Sequence, residues 1–155
     1  MAFGVLSVKG RALRYLSLRE HSRLELERKL ARHVVATETD GAPAQIARAL
    51  NELAAAGLLS EARAAASVLA SQGQRYGVCR LKQTLQFKGL DPELVSATLK
   101  EARGTEVERA LAVWRRRFGV PPADAAERAR QMRFMAGRGF EGAVIRRVVQ
   151  GTEDD

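Results

Sequence analysis

Apolar residues recur along this chain one helical turn apart, and helix-end signals separate each run from the next. Leu26 and Leu30 stand four residues apart behind Ser22-Arg23-Leu24-Glu25, a capping box whose hydroxyl and carboxylate satisfy amides at a helix start. A polar stretch from His33 to Gly41 follows. Pro43 then sits in a first helical turn, Ile46, Leu50 and Leu53 form the next stripe, and Gly57 closes it. Ser60 reads as the cap of a helix carrying Ala64, Ala65, Val68 and Leu69, which closes at Arg75-Tyr76-Gly77. Leu81 and Leu85 mark another, stopped by Gly89. Asp91-Pro92-Glu93 is a strong start: a capping acid, a proline at the first helical position, and a second acid against the positive helix end. Val95 and Leu99 carry that stripe to Gly104. Thr105 to Glu108 reads as a further capping box, ahead of Val107, Ala110, Leu111, Trp114 and Phe118, and Arg117-Phe118-Gly119 echoes Arg75-Tyr76-Gly77. After Pro121-Pro122, a helix with Ala129, Met132 and Met135 reaches Gly139. A last one carries Ile145 and Val149.

These runs repeat. With Gly89 set against Gly139, Leu85 pairs with Met135, Lys88 with Arg138, Leu90 with Phe140, Val95 with Ile145 and Leu99 with Val149. Leu26 and Leu30 fall opposite Leu81 and Leu85 once the longer first loop is allowed. β-Branched residues occur singly or in pairs such as Val34-Val35, and no alternating run bounded by hairpin signals is present. The expected fold is therefore all-α: three tandem three-helix repeats over 10–58, 59–104 and 105–150, in an elongated, curved array. A flexible start (1–9) precedes them and a frayed acidic tail (151–155) follows.

Composition narrows the function. The aromatic share is 5% while hydrophobic residues make up 46%, which suits thin, closely packed helices. One cysteine, Cys79, excludes an internal disulfide, and no Cys/His cluster offers metal ligands. His21 and His33 have no nucleophile or paired carboxylate at motif spacing, and they read as surface or helix-end residues. Trp114 shares its stripe with Leu111 and Phe118 and reads as core. Gly137-Arg138-Gly139 lacks the strand of a phosphate loop and reads as a helix stop. No catalytic constellation assembles, and no cofactor is implied. No apolar run approaches the roughly 20 residues of a spanning helix, nor does the start resemble a signal segment, so a cytoplasmic protein is expected.

Charge supplies the positive indication. Lys and Arg number 26 against 18 Asp and Glu, a formal net charge of +8, and such a balance calls for a polyanionic partner. Arg75 and Arg80 flank one turn, with Lys82 and Lys88 further along. Arg116 and Arg117 belong to a run at a helix end, and Arg133 and Arg138 follow. Part of this is structural, because cations suit helix C-termini by about 0.3–1 kcal/mol each. Their recurrence near equivalent turns nonetheless makes these eight residues the expected partner-facing set, a stripe that reads phosphates rather than bases.

Three segments stand out together: Arg14-Tyr15-Leu16 followed by Ser22-Arg23-Leu24-Glu25-Leu26-Glu27-Arg28-Lys29-Leu30; Leu50-Asn51-Glu52-Leu53-Ala54-Ala55-Ala56-Gly57-Leu58-Leu59-Ser60-Glu61; and the run from Arg75-Tyr76-Gly77 to Phe87-Lys88-Gly89-Leu90. In these segments the chain resembles the RecX family. The chain departs from the family pattern at Ala64, where relatives often carry an aromatic, and near Thr84, where they often carry an acid. The resemblance implies tandem three-helix repeats and a regulator of the recombinase RecA. Such a regulator lodges in the helical groove of the RecA filament on single-stranded DNA and hinders filament growth, ATPase, strand exchange and co-protease activity. It would act as a monomer with no catalysis of its own and would touch DNA phosphates directly. The alternative is a general nucleic-acid-binding protein that works without RecA.

Overall fold

The computed structural model describes residues 4–151. The expected frayed tail at Glu153-Asp154-Asp155 and the first residues of the expected flexible start lie outside them. Nine helices occur among the described residues, and no strand: α1 (Val8–Leu18), α2 (Arg23–Ala31), α3 (Ala42–Ala55), α4 (Glu61–Gln72), α5 (Val78–Phe87), α6 (Pro92–Gly104), α7 (Glu106–Arg117), α8 (Ala125–Gly137) and α9 (Gly142–Val149). The protein is all-helical.

Most starts follow the local chemistry. Ser22 accepts from the Glu25 amide at 3.2 Å while the Glu25 carboxylate accepts from the Ser22 amide at 3.1 Å, which completes the capping box of α2. Ser60 accepts from Arg63 N–H at 3.2 Å, and Asp91 caps α6 through the Glu93 amide at 2.8 Å, with Pro92 beside it. α1 begins at Val8 behind a Ser7 cap, inside the segment expected to be flexible. The capping box expected at Thr105 does not form. α6 runs into α7 with no loop between them, so Thr105 is not extended (φ −120°, ψ 7°). Its hydroxyl donates to the Ala102 carbonyl at 3.4 Å and accepts from Arg109 Nε at 3.1 Å instead.

The chain forms two compact units. The first runs to Ser67 and includes Lys88–Leu90. Its core is Ala12, Leu26, Leu30, Ile46, Leu50, Leu53 and Leu59, from α1, α2, α3 and the turn after α3. The second comprises Val68–Phe87 and the chain from Asp91 onward. There Ala110, Val113 and Trp114 of α7 pack against Met135 of α8, Phe140, and Ile145, Val148 and Val149 of α9. Trp114 is a core residue, and its indole N–H donates to Gln131 Oε1 at 2.8 Å. The fifty-residue echo is visible in burial: Leu85 and Met135, Leu90 and Phe140, Val95 and Ile145, and Leu99 and Val149 are all buried. Gly89 and Gly139 both take left-handed backbone, φ 68° and 85°, which only glycine adopts without strain.

Each unit holds one copy of the same joint. In the first, the turn before α2 meets the turn after α5: Ser22 Oγ donates to the Lys88 carbonyl at 2.6 Å, and the Arg23 amide donates to Glu61 Oε1 at 2.7 Å. In the second, the turn before α5 meets the turn after α8. Gly77 N–H donates to the Arg138 carbonyl at 2.9 Å, Cys79 N–H to the Gly139 carbonyl at 3.0 Å, and the Val78 amide to Glu106 Oε1 at 3.3 Å. A glutamate at the start of the helix two elements on, Glu61 of α4 or Glu106 of α7, thus caps the α2 or α5 N-terminus from outside the local sequence, where free amides and the helix dipole favour an anion. The echo between Arg75-Tyr76-Gly77 and Arg117-Phe118-Gly119 does not extend to conformation. Gly77 presses on the backbone of Gly139 and Phe140, whereas Gly119 is a left-handed helix stop (φ 70°).

Candidate functional site

The second unit gathers basic and aromatic side chains where α4, α7 and α8 end. The turn after α4 presents Arg75 and Tyr76, α5 adds Arg80, the end of α7 adds Arg116 and Arg117, and the end of α8 adds Phe134 and Arg138. Arg75, Arg116, Arg117 and Arg138 line a cleft of about 270 Å³ whose apolar wall is Val113 and Phe134.

Aromatic rings hold all of these guanidinium groups except that of Arg116, which donates to the Gln74 carbonyl at 3.4 Å. Arg80 lies 3.9 Å from the centroid of Tyr76, with Arg75 at 5.3 Å and Arg138 at 5.7 Å from the same ring. Arg138 is also 5.2 Å from Phe134, and Arg117 sits between Phe134 at 5.3 Å and Phe118 at 5.6 Å. Phe118 meets Phe134 edge-on, 5.4 Å between centroids. Each contact contributes about 0.5–1 kcal/mol at an exposed site. Their larger effect is to hold cations in place that otherwise repel one another.

The eight residues expected to face a partner divide. Arg75, Arg116, Arg117 and Arg138 come together in the cleft, and Arg80 joins them through Tyr76. Lys82 is exposed on α5 and Arg133 on α8, and neither lines the cleft. Among the described residues these seven have no carboxylate within salt-bridge distance. Lys88 differs. It belongs to the first unit, its side chain is only 14% exposed, and its ammonium lies 2.7 Å from Glu25 Oε1. That charge is neutralised at the joint.

Residues outside the expected set shape the region. Arg109 donates to the carbonyls of Gly73 and Tyr76, both at 2.7 Å, and of Ala102 at 2.8 Å, tying the turn that presents Arg75 to the end of α6. Burial pushes its pKa down from the ordinary guanidinium range. The rings could have been noticed in the sequence, because Tyr76, Phe118 and Phe134 each directly follow an arginine.

The first unit corrects the reading of His21, which is buried at 1% exposure rather than at the surface. Nδ1 lies 3.0 Å from the Arg19 carbonyl, which only accepts, so Nδ1 carries the proton and Nε2 accepts from Lys29 Nζ at 2.8 Å. Burial, above all, pushes the His21 pKa down. Beside it, burial opposes the charge on Glu25. Hydrogen bonds from Arg19, Lys88 and the Ser22 amide outweigh that and hold its pKa at about 2. Cys79 is exposed and free. No helix among the described residues is long and apolar enough to cross a membrane.

Known proteins extend this description. A family model described as RecX, third three-helix domain, matches residues 105–149. The Regulatory protein RecX of Leptothrix cholodnii is 52% identical over 145 residues, covering 94% of this chain and 88% of that protein. The Regulatory protein RecX of Ralstonia nicotianae is 45% identical, covering 96% and 89%. The crystal structure of RecX from Lactobacillus salivarius superposes with a TM-score of 0.72 at 21% identity, covering 92% of each chain, and so shares the fold. Identity at this level over nearly the full length places the chain in the RecX family.

Proposed function

We propose that this chain regulates the recombinase RecA by binding, without catalysis or a cofactor. It lodges in the helical groove of the RecA filament on single-stranded DNA and limits filament growth, ATP hydrolysis, strand exchange and co-protease activity. The relatives carry a regulatory name, and one observation on this chain supports the mode of action: seven cations stand without carboxylate partners, five of them gathered at one set of helix ends, four of those five against aromatic rings. Arginine forks suit phosphate and carboxylate alike. A filament that repeats its anions presents several to a protein carrying several cations, so modest contacts add through effective concentration. In this reading Arg75, Arg80, Lys82, Arg116, Arg117, Arg133 and Arg138 face the partner, while the Lys88 ammonium stays with Glu25. The protein acts as a monomer in the cytoplasm.

The test is DNA-dependent ATP hydrolysis by RecA titrated with this protein. Hydrolysis falls at or below stoichiometric protein if the proposal holds; unchanged hydrolysis at saturation overturns it. The same unpaired guanidinium groups suit bare nucleic acid, which gives the second reading, a nucleic-acid-binding protein indifferent to RecA. Anisotropy on an oligonucleotide with and without RecA separates the two.

A further inference from the structure

The cleft in the second unit has more specific chemistry than a basic patch. Its wall is apolar, with Val113 nearly buried and Phe134 partly so, and its rim carries Arg75, Arg116, Arg117 and Arg138. No acidic side chain lines it. An apolar centre inside a polar rim is the anatomy of a contact with protein. Sites for single-stranded nucleic acid instead offer open ring faces on which bases stack. Here the rings already have cations against them: Tyr76 has Arg75, Arg80 and Arg138, and Phe134 has Arg117 and Arg138.

We infer that this cleft receives an acidic segment of a partner protein, with one large apolar side chain seated on Val113 and Phe134 and flanking carboxylates on the four arginines. This rests on the binding role proposed above and narrows it, since the cleft meets protein while cations outside it meet phosphates. The rings limit arginine rotamers before any ligand arrives, which lowers the entropy lost on binding. At about 270 Å³ the cleft lies below the roughly 300–1,000 Å³ of pockets for small organic ligands. It has room for one anchoring side chain.

The experiment is fluorescence anisotropy on the full chain with three labelled probes: an Asp/Glu peptide with a central Phe, the same peptide with Ala in its place, and an oligothymidylate. The Phe peptide is expected to bind about tenfold tighter than the Ala peptide. Arg138→Gln and Arg75→Gln, each checked for unchanged thermal unfolding, are expected to remove most of that binding and to weaken oligothymidylate binding by a clearly smaller factor. Equal binding of the two peptides overturns the inference. So does a loss of oligothymidylate binding as large as the loss of peptide binding, which marks the cleft as a nucleic-acid site. Pelleting of the wild-type chain with RecA filaments is measured in parallel. Pelleting without peptide binding sinks the cleft assignment alone, and peptide binding without pelleting sinks the RecA reading alone.

Discussion

At the residue scale, the joints depend on polar groups whose partners lie far along the chain. Glu106 is 2% exposed, and one of its oxygens accepts from the amides of Val78 and Glu141. Glu106→Ala strands both donors and is expected to cost about 2–4 kcal/mol in urea unfolding, whereas Glu106→Gln keeps an acceptor oxygen and costs less. Equal losses would deny that these bonds matter. In the first unit, stability follows two titrations. His21 has a lowered pKa, so its neutral form stabilises the fold fully above the unfolded value near 6.5, and that stability drains away as pH falls toward the folded value. Glu25, lowered from 4.5 to about 2, adds a second loss between those two values. Urea midpoints measured from pH 7 down to pH 3 are expected to show the upper step in the wild type and not in His21→Gln. An upper step that survives the substitution would belong to another group.

At the element scale, much of the helix pattern was legible in sequence because its causes are local. Ser22 with Glu25, Asp91 with Pro92, and the left-handed stops at Gly89 and Gly139 act within a few residues, and the fifty-residue echo follows from packing the same face twice. What stayed hidden has partners elsewhere in the chain. Ser22 reads as a cap, and nothing nearby tells that its hydroxyl also reaches the Lys88 carbonyl, 66 residues on. Lys88 reads as one more surface cation until Glu25 is placed beside it, and His21 reads as a polar helix end until α1 and α2 close over it. Thr105 fits a capping box, but the missing loop between α6 and α7 takes away the extended conformation that capping needs. The turn before α5 offers a test at this scale. A Cβ on Gly77 would collide with the Gly139 carbonyl, so Gly77→Ala is expected to cost about 2 kcal/mol or more by thermal or urea unfolding, against under about 1 kcal/mol for Gly104→Ala, where the added carbon meets nothing. Similar costs at both positions would remove the close approach as the cause.

At the scale of the whole molecule, the excess of positive charge was plain from composition, but its useful part was not. Of the eight cations expected to face a partner, four line one cleft, a fifth is tied to it by Tyr76, two stand exposed elsewhere, and one is neutralised. Sorting them needed the folded positions of Tyr76, Phe118 and Phe134. Contacts with phosphates release counterions, so affinity for a DNA-bearing partner is expected to fall steeply with salt, with a slope of about −0.7 per phosphate on a single strand. The most direct measurement is cosedimentation with RecA filaments assembled on single-stranded DNA, comparing the wild type with Arg75→Gln/Arg117→Gln/Arg138→Gln at matched thermal stability. The proposed role predicts that the wild type pellets with filaments and that the triple variant loses about tenfold or more in affinity. Undiminished pelleting of the triple variant, or a wild type left in the supernatant, would contradict it.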